Sequence, residues 1–180
     1  MLMFALVTMS ACSATGGALP PAVWPPPVSA SCTGSAGSAF SSHGLNFHFS
    51  GHGENSLIAH KASARYLPLL TEGAPASGTI DSISIFVGAA AETLSLDTDY
   101  AYEINVNGSE VLLRTRSPFG VAYALETLSQ FIVPGTNGAA LQCATIAVSD
   151  APAFAHRGLS LDSASGRNPP LSNRESAREH

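Results

Sequence analysis

The sequence predicts an α+β fold, a small sheet with helices on one face, and three observations carry that prediction. Leu45 to Phe49, Ile80 to Val87 and Tyr100 to Thr115 alternate apolar and polar residues, the period of strands with one buried side. Glu54 to Leu70 and Ser117 to Ile132 space their apolar residues three or four apart, the pattern of helices lying on a core. Helix and strand patterns are interleaved over a length suited to one domain, since the whole chain has 180 residues.

Composition narrows the class of partner. The formal charge is −5 and only eight Lys and Arg are scattered along the chain, so no basic stripe meets a phosphate backbone and nucleic acid is not expected. Residues 1–18 hold an apolar run, Leu2 to Met9, followed by small residues with two candidate cleavage sites, Cys12-Ser13-Ala14 and Gly16-Gly17-Ala18. That reads as a signal peptide and a secreted or lysosomal/vacuolar location. The alternative is an uncleaved N-terminus, because no Lys or Arg precedes the run. The run is far shorter than the roughly 20 residues of a membrane span. Cys32 and Cys143 remain after cleavage; an oxidising compartment permits their pairing, and two free buried thiols are the alternative.

Taken in order, Leu19 to Val28 is a stiff, extended Pro-rich arm in which Trp24 is expected to pin the arm to the domain. Ser29 to Ser42 has little to bury and reads as loop. Leu45 to Phe49 is a short strand. His43, His48 and His52 lie close by with Glu54, but residues 43 and 48 fall on opposite faces of a strand, so no metal site is expected. The helix from Glu54 to Leu70 carries Leu57, Ile58, Ala62, Tyr66, Leu69 and Leu70 on one stripe; Pro68 should kink or stop it near Leu67, before Gly73 and Pro75.

Ile80 to Val87 is the next strand. Tyr100 to Thr115 is a hairpin around Asn107-Gly108, with Val106 facing Ser109, Ile104 facing Val111 and Tyr102 facing Leu113. Asn107-Gly108-Ser109 is also a glycosylation sequon at an exposed tip. Ser117 is expected to cap a helix opened by Pro118, whose inner stripe is Val121, Ala124, Leu125, Leu128 and Phe131 or Ile132; Pro134 and Gly135 end it. Leu141 to Val148 is a last strand, and Asp150-Ala151-Pro152 a linker. Phe154 to Ser163, with alternating Leu residues between Arg157 and Asp162, reads as the first strand of a further domain of which this chain holds only the start. The polar residues 167–180 lack an apolar stripe and are expected to be disordered.

Three segments together bring a family into view: the Pro-rich arm at residues 19–27, Ser117-Pro118-Phe119-Gly120-Val121 through Glu126-Thr127-Leu128-Ser129-Gln130, and Asp150-Ala151-Pro152 through His156-Arg157-Gly158-Leu159-Ser160-Leu161-Asp162. In this combination the chain resembles β-N-acetylhexosaminidases of glycoside hydrolase family 20. The resemblance implies a non-catalytic α+β accessory domain at residues 19–150, followed at 151–166 by the first strand of a truncated (β/α)8 barrel. It also implies removal of terminal N-acetylglucosamine or N-acetylgalactosamine from glycans, with no cofactor. In the mechanism it implies, the substrate's 2-acetamido oxygen attacks the anomeric carbon, outside the common two-carboxylate scheme.

An adjacent Asp-Glu pair supplies the acid and the acetamido anchor in that family. No Asp-Glu dipeptide occurs in this sequence, so no catalytic residue is expected in it and the chain alone should be inactive. The resemblance assigns Arg157 to hydroxyls of the terminal sugar, which suit its guanidinium fork. Asp162 is a second candidate, since barrel sites lie at the carboxyl ends of strands. A Ser-His-Asp hydrolase is excluded for His156, Ser160 and Asp162, because neighbours on one strand cannot converge as a triad. The competing function is a secreted non-catalytic module that binds carbohydrate or protein.

Overall fold

The computed structural model describes residues 23–35, 37–135, 137–154 and Gly158; Arg157, Asp162, the expected signal peptide and the expected tail lie outside them. Ten elements occur in order: β1 Ser29–Thr33, β2 Asn46–Gly51, α1 Leu57–Thr71, β3 Ser82–Val87, β4 Tyr102–Asn107, β5 Glu110–Thr115, α2 Gly120–Ser129, β6 Ile132–Val133, β7 Ala140–Leu141 and β8 Thr145–Asp150. Six of the strands form one mixed sheet in the order β1-β8-β4-β5-β3-β2, while β6 and β7 make a separate antiparallel pair. The β2-α1-β3 unit is a parallel crossover, β3 is also parallel to β5, and the β5-β4-β8-β1 half is antiparallel.

Alternation in the sequence becomes a two-faced sheet. Ile83, Ile85 and Val87 of β3, Ile104 and Val106 of β4, Val111 and Leu113 of β5, and Ile146 and Val148 of β8 are buried, while their neighbours along each strand are half-buried or exposed. Each large aliphatic side chain taken fully from water contributes about 1.5–3 kcal/mol. The inner stripe of α2, made of Val121, Ala124, Leu125 and Leu128 and continued by Phe131, is fully buried, as the spacing predicts. The two helices are tied to each other by the Tyr66 hydroxyl, which donates to Glu126 Oε2 at 2.7 Å. Burial first, then that hydrogen bond, pushes the Tyr66 phenol up to about 12.

Several expectations need correction. Helix α1 starts at Leu57 with Ser56 as its N-cap, Ser56 Oγ accepting from Ala59 N at 3.2 Å. It continues through Pro68 to Thr71, because the ring forfeits one donor only and the fully buried Leu70 anchors the last turn. Gly73 then takes a positive φ of 67° and ends the segment. The residues read as loop between Ser29 and Ser42 include β1 and a parallel bridge from Phe40 to Ile80. An edge strand needs a bonded neighbour on one side only, and Cys32 is the single buried residue of β1.

The hairpin register is slipped by two residues. Asn107 pairs with Glu110, Val106 with Val111, Ile104 with Leu113 and Tyr102 with Thr115, so the loop residues are Gly108 and Ser109. Gly108 holds the positive φ, 60°, that the first loop position demands, which leaves Asn107 in the ladder. A slip of two keeps every side chain on its face. Ser117 does not cap α2: its hydroxyl donates to the carbonyl of Asp99, Phe119 is the capping residue, and no side chain caps that end. The expected strand from Leu141 to Val148 is two strands, broken at residues 142–144, where Cys143 leaves the ladder to meet Cys32.

Candidate functional site

At the end of the sheet where β3, β5 and β8 finish and β4 begins, side chains of the open face enclose a groove of about 400 Å³. Phe86, Glu103, Arg114, Arg116 and Val28 line it, with the backbone turning in at Gly88 and Ala151. The strand register puts Glu103, Arg114 and Phe86 in one row across β4, β5 and β3, each opposite the next. The Arg114 guanidinium lies over the Phe86 ring, 5.7 Å from its centroid, a cation–π contact in which the arginine also covers apolar surface. Phe86 remains 38% exposed and Val28 81% exposed, so the rim offers apolar area beside two cations.

Beneath the rim, Asp150 joins three parts of the chain. Its Oδ1 accepts from the Val28 backbone N–H at 3.0 Å and its Oδ2 from the Tyr102 hydroxyl at 2.9 Å. Tyr102 also meets Thr127 Oγ1 at 2.6 Å. A phenol has one proton, and here it goes to the carboxylate; Thr127 is therefore the donor to the Tyr102 oxygen. Burial first, and then the bond to Asp150, raises the Tyr102 pKa far above its ordinary value, so it stays a donor throughout the physiological range. The Asp150 carboxylate is thus occupied in fixing the proline-rich arm and α2 to β8. This arrangement positions the chain leaving β8; neither of its hydrogen-bonded groups is free for acid–base chemistry.

The arm is held a second time, by a reciprocal pair: Trp24 N donates to Gln130 Oε1 at 2.7 Å, and Gln130 Nε2 to Trp24 O at 3.1 Å. Its backbone does the pinning expected of the indole, since Trp24 is 77% exposed. The Trp24–Pro25 peptide is cis.

Of the residues singled out by sequence, Arg157 and Asp162 lie outside the described part, and Asn107 stands exposed at the far end of β4 from the groove. Among the described residues, no three His, Cys, Asp or Glu side chains are grouped to hold a metal ion. His60 stacks on Phe49 with ring centroids 4.1 Å apart and its Nε2 lies 3.0 Å from the Glu54 carbonyl, which accounts for that histidine structurally. Cys32 and Cys143 form a disulfide, their Cα atoms 5.6 Å apart, which resolves the choice the sequence left open. Sequence reasoning missed the groove. A signal was available in Phe86, a large aromatic on the side of β3 otherwise given to Ser82 and Ser84.

Comparisons with known proteins bear on the same region. A family model described as beta-acetyl hexosaminidase like matches residues 46–131. The β-hexosaminidase subunit A1 of Dictyostelium discoideum is 27% identical over 99 residues, 55% of this chain and 19% of that protein. The chitooligosaccharidolytic β-N-acetylglucosaminidase of Bombyx mori is 25% identical over 155 residues, 79% of this chain and 26% of that protein. Among solved structures, the chitobiase of Flavobacterium johnsoniae superposes with a TM-score of 0.62 at 18% identity, over 79% of this chain and 22% of its own. A glycoside hydrolase family 20 β-N-acetylglucosaminidase gives 0.50 at 21% identity, over 83% and 26%. These structures share the fold, and the chain spans about a fifth to a quarter of the length of the relatives it matches.

Proposed function

We propose that this chain carries a hexosaminidase-like N-terminal accessory domain and has a role in a β-N-acetylhexosaminidase, a hydrolase of terminal non-reducing N-acetylglucosamine or N-acetylgalactosamine residues. In this reading residues 19–150 are non-catalytic, and a barrel begins with residues 151–166. The chemistry proposed for the barrel is retaining and substrate-assisted: the acetamido oxygen displaces the leaving group while a Glu protonates it, and an Asp holds the acetamide. Arg157 and Asp162 belong to the sugar-binding set of that barrel. Secretion or delivery to a lysosome or vacuole fits such glycans, and among the described residues no helix is long and apolar enough to cross a membrane.

The observation that carries the reading is the family match over residues 46–131, set beside a sequence without an Asp-Glu dipeptide. The match supplies the relationship, and the absence of that dipeptide from these 180 residues supports the reading that they do not carry the catalytic pair. The groove gives the accessory domain its task. Its Phe86, Arg114 and Val28 rim lies beside Asp150 and Ala151, which supports a role in seating the barrel proposed to follow.

Incubation of the purified chain with 4-nitrophenyl N-acetyl-β-glucosaminide is expected to release no nitrophenol. Release that Arg157→Ala abolishes would overturn the inactivity of the chain. Heat on calorimetric titration with chitin oligomers would instead favour the non-catalytic sugar-binding module.

A further inference from the structure

The chain contains a single Asn-x-Ser/Thr sequon, Asn107-Gly108-Ser109, and the fold places it at the tip of the β4–β5 hairpin. Both Asn107 and Ser109 are exposed. Asn107 shares the open face of the sheet with Glu103 and Asn105, in register with Glu110 on one side and Thr145 on the other. The Gly108 N–H donates to the Ala144 carbonyl at 3.0 Å, so the tip is a fixed structure that holds the asparagine outward. Asn107 lies five positions along β4 from Tyr102, roughly 17 Å at strand spacing, so a bulky group here leaves the groove open.

A second, independent observation concerns the compartment. The Cys32–Cys143 bond joins residues 111 apart, with Cys32 at 6% exposure and Cys143 at 0%. A structural disulfide of this kind forms and persists in an oxidising environment. That is also where sequons meet the machinery that reads them.

We propose that Asn107 carries an N-linked glycan, added as the chain passes through the secretory compartment that oxidises Cys32 and Cys143. The donor is an oligosaccharide on a polyprenyl diphosphate. Asn107 Nδ2 forms a bond to the anomeric carbon of the first sugar, the bond from that carbon to the diphosphate oxygen breaks, and the polyprenyl diphosphate leaves as the amide gives up one proton. No oxidant or reductant takes part. The glycan covers the Thr33, Thr145 and Glu110 end of the open face, which leaves the groove end for assembly.

The test is expression of the full chain, with its own N-terminus, in a secreting eukaryotic cell. The secreted protein should migrate more slowly than its peptide-N-glycosidase product, and release in heavy-oxygen water should leave labelled Asp at position 107. Asn107→Gln and Ser109→Ala should abolish the shift, while Ser109→Thr keeps it. Thiol labelling checks in each variant that Cys32 and Cys143 are oxidised. Secreted, oxidised chain with unmodified Asn107 overturns the proposal, as does chain retained in the cell with both thiols reduced, or a shift that survives Asn107→Gln.

Discussion

Reduction of the Cys32–Cys143 bond is the perturbation whose size the structure fixes best. The bond closes a loop over a sequence separation of 111, for which the chain-entropy expression gives roughly 4.8 kcal/mol at 25 °C. Residual order in the denatured chain lowers the measured value, so a loss of about 3–5 kcal/mol is expected. At about 3–5 °C per kcal/mol for a domain of this size, the melting temperature should fall by roughly 10–20 °C. Calorimetry of oxidised and dithiothreitol-reduced protein measures this while both sulfur atoms remain in the core.

The loss should also be uneven. Cys32 is the only buried residue of β1, so reduction leaves that strand held by its ladder to β8 and little else. Hydrogen exchange should therefore quicken at residues 29–33 more than in β4 or β5. A fall of less than about 3 °C, or unchanged protection of β1 on reduction, would refute the reasoning.

Two further outcomes come from close packing and from the Tyr102 network. Gly78 runs against the Phe40 backbone where a Cβ would collide with main-chain atoms, so Gly78→Ala should cost at least about 1–3 kcal/mol in urea unfolding, and an unchanged midpoint would contradict so close an approach of the two backbones. The raised pKa of Tyr102 and of Tyr66 means that the folded chain holds these protons more tightly than the unfolded one. Stability from them is complete below the unfolded value near 10 and is lost as pH rises toward 12 and beyond. Thermal melts should show that alkaline decline, and Tyr102→Phe should flatten it while costing about 1–3 kcal/mol near neutral pH through the unpaired Asp150 and Thr127.

What the sequence made legible was local or periodic. The buried faces of β3, β4, β5 and α2 follow from spacing alone, and the hairpin kept its apolar face although its register moved, because a slip of two preserves side-chain direction. Strand β1 was illegible because Ser-Ala-Ser-Cys-Thr has no large apolar residue; its strand character comes from β8, more than a hundred residues later. Ser117 and Pro118 looked like a helix start, yet the hydroxyl found the Asp99 carbonyl, a partner that no local rule supplies. The Asp150 network was hidden for the same reason, since its partners lie 48 and 122 residues away. Arg157 and Asp162 were legible only through a motif, which names a role without a geometry.

The strand order also imposes a schedule on synthesis. Strand β8 lies between β1 and β4 but is the last of the sheet's six strands to be made, so β4 stays an open edge and β1 has no partner in the sheet until it arrives. Over the same interval Cys32 has no native thiol to meet, while Cys12, if it is still attached, is much nearer along the chain than Cys143. Short loops close more readily than long ones. Oxidation that runs ahead of elongation would therefore trap Cys32 on the nearer Cys12.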